Sequence, residues 1–357
     1  MSSTPQSHSL TLPAQKSRSI GAAFALFFTA PLIAEFLLGN LPITFLGALV
    51  VLAPLYGGGA LLIRETVRRA GRGWPSILVL GMAYAILEEA ITTQSLFNPD
   101  YLHLHLGLLQ PAYIPVLGIG AWWTLWMLNV HPVWSIAVSI ALIEAVAPNR
   151  AATPWLGRIG YTVTCVVFAI GAAGSTLIGY RQDHFLASTT QLVSSVGVIA
   201  TLTAGAFLLP RTVARREAGW VPTPWVAGIL ALAAGSAALL TPKSWGWGAV
   251  VVLLALDLSM LFAVLTWSRR NWSPLHKLAL AAGAALAYAW HAFIETPAVG
   301  KVEPSLRAGN AIFALAAIGL IWLGARRNDH PPTPMEISVD EFQTCDPAVA
   351  IHKSSKV

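Results

Sequence analysis

Residues 74–93 read WPSILVLGMAYAILEEAITT, an apolar run with two adjacent carboxylates, Glu88 and Glu89, close to its end. A helix needs about 20 mainly apolar residues to cross hydrocarbon roughly 30 Å thick. The run is continuously apolar rather than alternating, which selects a helix over a barrel strand. Its glutamates are expensive there, because an ionisable side chain inside a span faces the bundle interior or a water-filled cavity. Fold and candidate site thus begin in the same segment.

Working outward, nine more apolar runs occupy residues 20–39, 41–63, 116–147, 159–179, 190–209, 224–240, 246–267, 275–297 and 310–325. Composition agrees with so greasy a chain: 55% of its 357 residues are hydrophobic and 11% charged, with a mean hydropathy of +0.64. A soluble domain carries about 25% charged residues, so a water-facing surface is excluded. Two cysteines, Cys165 and Cys345, cannot form a disulfide framework. The net charge of +6 raises nucleic acid as a partner, but the basic residues lie between apolar runs rather than in one patch. The expected partner is the lipid bilayer. The sequence predicts an all-α, polytopic transmembrane helix bundle of about ten spans in a cell membrane. A polar N-terminus (residues 1–19) precedes the helical domain (20–325), and a disordered tail (326–357) follows it.

Basic residues orient the bundle. With the N-terminus inside, eighteen Lys and Arg, among them Arg64, Arg68, Arg69, Arg72 and Arg150, fall in inner segments, and only Arg181, Lys243, Lys301 and Arg307 fall outside. That asymmetry fits the positive-inside rule with both termini cytoplasmic. Two segments are irregular. The 116–147 run would be about 48 Å long as a straight helix. Trp122, Trp123 and Trp126 are expected to form an aromatic belt at its outer end. Pro132 is expected to interrupt it and free the carbonyl of Leu128. The outer segment 94–115 carries Asn98-Pro99-Asp100, His103 and His105 without a Lys or Arg. It is long for a connector and so a candidate functional loop.

The ionisable residues inside the runs are Glu35, Glu88, Glu89, His131, Glu144, Asp257, His291 and Glu295. Glu144 is expected to pair with Arg150. Adjacent residues on a helix point about 100° apart, so Glu88 and Glu89 can border one cavity. A cation or a cationic side chain would relieve their mutual repulsion. His291 and Glu295 share a helix face four residues apart, where a carboxylate can co-ligate a cation or fix an imidazole tautomer.

A helix with a Glu-Glu pair, followed by histidines on later spans, resembles the CAAX protease and bacteriocin-processing family of intramembrane metalloproteases. The family's motifs are Glu-Glu-x-x-x-Arg, Phe-x-x-x-His and His-x-x-x-Asn or Asp. The matching positions are Glu88-Glu89, Met127-x-x-x-His131 and His291-x-x-x-Glu295, with Thr93 standing where the family has arginine. The resemblance implies Glu88 and Glu89 as catalytic groups that activate water. It implies His131, His291 and Glu295 as ligands of a zinc ion (Zn2+). A carrier is the alternative: Glu88, Glu89, His131 and Asp257 would form a proton or cation relay, with Pro31, Pro54 and Pro132 breaking its helices. A scaffold without turnover is the third class, and it leaves the acidic pair unexplained.

Overall fold

The computed structural model describes residues 19–209, 218–270, 272–300 and 302–329. The polar N-terminal segment up to residue 18 and the tail beyond 329 lie outside them. Each apolar run forms a helix: α1 (Ile20–Leu37), α2 (Ile43–Arg69), α3 (Trp74–Thr92), α4 (Ala121–Val146), α5 (Arg158–Asp183), α6 (Thr189–Leu208), α7 (Pro224–Leu240) and α8 (Trp247–Ser268). Two more, α9 (Pro274–His291) and α10 (Pro304–Asp329), complete the bundle. Eight of these helices are long and apolar enough to cross a membrane, while α7 is shorter and α9 is not among the eight.

Proline sits in the first turn of α3, α7, α9 and α10, where its fixed φ suits the helix and its missing N–H costs nothing. Ser188 with Gln191 caps α6 in a reciprocal box, and Ser273 with His276 does the same for α9. Internal prolines act differently. A proline inside a helix removes a donor and crowds the preceding carbonyl. The chain answers by widening to π geometry directly after Pro31 (Leu32–Leu37), around Pro54 (Ala53–Gly57) and around Pro132 (Val130–Val138). The expected break at Pro132 is therefore a widened stretch in a helix that continues to Val146.

The helices are unequal. In α4 72% of the apolar window is buried and in α3 61%, against 11% in α5 and α6. The first four helices and α9 form the interior, and α5, α6 and α8 turn apolar side chains outward, as lipid-facing helices do. Close approach within the bundle relies on small residues, the usual device where lipid removes the hydrophobic drive to associate. A Cβ at Gly283 of α9 would lie 2.2 Å from the carbonyl oxygen of Gly228 on α7. One at Gly57 of α2 would lie 1.8 Å from that of Phe27 on α1. The Trp134 ring of α4 stacks on Tyr288 of α9 at 4.5 Å and donates its indole N–H to the Ala284 carbonyl, which docks α9 on the core.

Two expectations at the helix ends change. The α4 helix starts at Ala121, and the residues before it form a short antiparallel hairpin of Tyr113–Ile114 with Ile119–Gly120. The tryptophans that follow are partly internal: Trp122 is buried and stacks on Trp126, and Trp123 donates to Ser95. At the basic end, Glu144 takes Arg68 (2.8 Å) and Arg64 (3.0 Å) as partners, while Arg150 lends its carbonyl to Arg64. Arg64 is fully buried, bonded also to Glu65 and to the carbonyls of Ala151 and Thr153, with Trp155 stacked on its guanidinium.

Candidate active site

Four π segments face one another in the interior. Three are the proline-linked ones in α1, α2 and α4, and the fourth, Leu87–Thr92, ends α3. Each carries polar side chains: Glu35 from α1, Tyr56 from α2, Glu88 and Glu89 from α3, and His131 from α4. A π turn fits one extra residue into a helix and is frequent at functional sites. Here it aims side chains inward that a continuous α-helix would place elsewhere.

His131 lies between the two carboxylates. Its Nε2 is 2.7 Å from Oε1 of Glu89, and its Nδ1 is 3.2 Å from Oε2 of Glu88. All three residues are buried. Their surroundings differ. Glu89 is tethered: its Oε2 accepts from the hydroxyls of Thr93 (3.2 Å) and Ser95, and Ser95 in turn accepts from the Trp123 indole at 2.9 Å. Oε2 of Glu88 and the hydroxyl of Tyr84 are both buried without a well-aligned hydrogen bond among the described residues. The rings of Tyr56 and Tyr84 flank His131 at 5.9 and 6.0 Å. Tyr56 donates to Oε1 of Glu35 at 2.7 Å, and Asn40 donates to Oε2 of Glu35 at 2.8 Å.

The segment between α3 and α4 covers this end of the bundle. Asn98 and the backbone N–H of Leu102 both donate to Asp183 at the end of α5. Gln94 accepts from the N–H of Ala187, and Lys243 donates to the carbonyl of Leu106. Five non-glycine residues here, Gln94, Leu102, His103, His105 and Ala112, have positive φ, a conformation held only where surrounding contacts impose it. Tyr101 in this segment feels the site below it. Burial, then the charges of Glu89, Glu88 and Glu35, push its phenol above the usual range. His103 and His105 are exposed and both pair with Asp100.

The structure brings together three of the residues singled out in the sequence. Ligand atoms of Glu88, Glu89 and His131 lie within 4.8 Å of one another, and His291 and Glu295 are not in that group. His291 instead faces Glu295 at 3.3 Å on its own segment. Asp257 accepts from Asn129 of α4 at 2.9 Å, two positions before His131. The hydroxyl-bearing members Tyr56, Tyr84, Ser95 and Tyr101 escaped sequence reasoning, since a neutral hydroxyl in an apolar run raises no alarm.

The donor set can be tested against zinc. A catalytic zinc ion takes three protein ligands and keeps one position for water. Glu89, however, is committed to the far nitrogen of His131 and to two hydroxyls, so gathering all three donors on one ion would break those bonds. Glu88 Oε2 and His131 Nδ1 are then the two donors left facing a common point. As bonded here, the three side chains form a chain along which a proton can pass.

Helices of this length around a buried acid–imidazole–acid cluster define a multi-pass membrane protein with a polar centre among its helices. The chain belongs to a family described as an uncharacterized membrane protein family, whose model matches residues 24–325 and so the whole bundle. That match carries no link to the CAAX protease family. No curated protein and no solved structure matches the chain.

Proposed function

We propose that the chain is an intramembrane hydrolase in which Glu88 and His131 activate water and Glu89 positions His131. The observation that supports this reading is the unequal bonding of two adjacent carboxylates. Glu89 is saturated by His131, Thr93 and Ser95, whereas Oε2 of Glu88 has only the ring nitrogen of His131 at 3.2 Å and no well-aligned hydrogen bond among the described residues. Two like groups with different environments divide the roles of positioner and proton acceptor. An imidazole oriented from behind by a carboxylate is the arrangement on which general base catalysis relies.

In this mechanism a water molecule gives a proton to Glu88, which Nδ1 of His131 orients at 3.2 Å, as the water oxygen adds to the carbonyl carbon of an amide or ester held within the membrane. The carboxylic acid then returns that proton to the leaving nitrogen or oxygen as the bond to carbon breaks. The Tyr84 hydroxyl, buried beside Glu88, donates to the oxygen on which negative charge builds. The segment 94–120 excludes bulk water from this end.

The test is turnover by the full chain in liposomes, using fluorogenic transmembrane peptides and long-chain acyl esters. Glu88→Gln and His131→Ala should each lower turnover by about 10²- to 10⁴-fold, the share that general base catalysis supplies. Chelators should leave it unchanged. Full activity in Glu88→Gln would remove the reading. The carrier alternative draws on Asp257, whose bond to Asn129 brings an acid of α8 against α4. Proton flux that disappears in Asp257→Asn, from liposomes that hydrolyse nothing, would favour it.

A further inference from the structure

We propose that the cavity at the basic end of the bundle, between Trp74, Glu144, Lys277 and Asn328, binds a phosphate group. It lies at the opposite helix ends from the Glu35 side of the molecule, and rests on none of the residues of the hydrolase reading. The cavity measures about 80 Å³, several times the roughly 10–15 Å³ that a single water needs on this measure, so a group of phosphate size can enter. Apolar atoms of Ala141, Leu278 and neighbouring prolines form the rest of its wall.

Two of the residues that line it carry a donor without a partner among the described residues. Lys277 of α9 is half-buried and makes no hydrogen bond or ion pair among the described residues. The indole Nε1 of Trp74 is buried and has no acceptor among the described residues. A buried N–H of this kind costs about 1–3 kcal/mol until something accepts from it. The carboxylate on the same wall does not supply that acceptor. Both oxygens of Glu144 are held by Arg68, and Oε1 by Arg64 as well. Asn328 is likewise spent, with its amide on the carbonyls of Ala145 and Gly324. Glu65, the other buried acid here, is shared between Arg64 and Arg69. Of the four cations Arg64, Arg68, Arg69 and Lys277 around Glu65 and Glu144, Lys277 alone has no carboxylate within ion-pair distance among the described residues.

The ligand this wall asks for has acceptor oxygens only, carries negative charge, and is small. A phosphate group meets each demand, taking a charge-assisted bond from the ammonium and a second from the indole. By the positive-inside expectation this end is cytoplasmic. The phosphate could be that of an inner-leaflet lipid headgroup or one free in solution, and the experiment separates them.

Full-length protein in a maltoside detergent, in buffer free of phosphate, provides the reference melting temperature. One arm titrates inorganic phosphate, and the other adds phosphatidylglycerol, with a neutral diacylglycerol as control. The proposal expects stabilisation in at least one arm. A response to inorganic phosphate assigns the free ion, and a response to phosphatidylglycerol alone assigns the headgroup. Lys277→Gln should weaken the responding ligand at least about tenfold, and Trp74→Phe should weaken it while keeping the ring that packs against Arg68. Trp74→Phe carries the test should Lys277→Gln fail to fold. No stabilisation in either arm, or undiminished binding in Trp74→Phe and in any folded Lys277→Gln, overturns the proposal.

Discussion

His131 and Glu89, 2.7 Å apart, join α4 to α3 through a hydrogen bond buried from every side. Removing one partner of such a pair leaves the other uncompensated, which costs about 3–5 kcal/mol. Glu89→Ala should therefore unfold the protein at a much lower temperature, measurable by thermal denaturation in detergent. Glu88→Gln, which keeps the shape and deletes a charge from an underbonded oxygen, should shift the melting temperature little. Equal destabilisation by the two variants would contradict the division of roles proposed for them.

Arg64 presents a second case at the opposite end. Every nitrogen of its guanidinium is bonded, to Glu144, to Glu65 and to three carbonyls. Arg64→Met should leave two acids and several carbonyls short of donors and cost about 3–5 kcal/mol. Arg64→Lys should rescue only part of this, because one ammonium cannot reproduce a planar five-donor fork. Folded yield and melting temperature read both.

Close packing makes a sharper forecast. A methyl group at Gly57 would strike the Phe27 backbone at 1.8 Å, whereas one at Gly174 meets nothing within 4 Å. Gly57→Ala should be among the most damaging single substitutions, above the roughly 1–3 kcal/mol of ordinary overpacking. Gly174→Ala should be neutral or mildly stabilising. Melting temperatures of the pair provide the check.

The outer segment should respond to pH at both ends of a window. The hydrogen bond from His103 lowers the carboxyl of Asp100 from 3.8, and the bond to Asp100 raises the imidazole of His103 from 6.5. A lowered acid contributes stability above its unfolded value and loses it as pH falls through the folded one. A raised base contributes below its unfolded value and loses it as pH rises through the folded one. Amide exchange protection around residues 100–105 should thus be greatest between about pH 4 and 6.5 and decline on either side. In Asp100→Asn that profile should flatten.

Much of this was legible in the chain. Apolar runs became helices because lipid leaves a backbone no other means of satisfying itself. Glu88, Glu89 and His131 announced themselves because charge in such a run demands a reason. What sequence missed has physical causes too. Tyr56, Tyr84 and Ser95 cost little in an apolar segment and so gave no signal. In sequence Arg64 counts only as one of the basic residues of an inner segment, because counting charges for orientation says nothing of which side chain turns inward. His291 and Glu295 had the right spacing on their own segment, but spacing along one helix does not decide which other helix it meets.

The widened turns have a consequence for how this site is inherited. Each holds one residue more than an ordinary helix would, and losing that residue would rotate everything beyond it by about 100°. A single-codon deletion at Leu87 or Val130 would keep every acid and imidazole in the gene, yet swing part of the cluster out towards the acyl chains. What is transmitted is thus a phase as much as a set of letters, and two sequences agreeing at Glu88, Glu89 and His131 share the centre only if they also agree in helical reading frame.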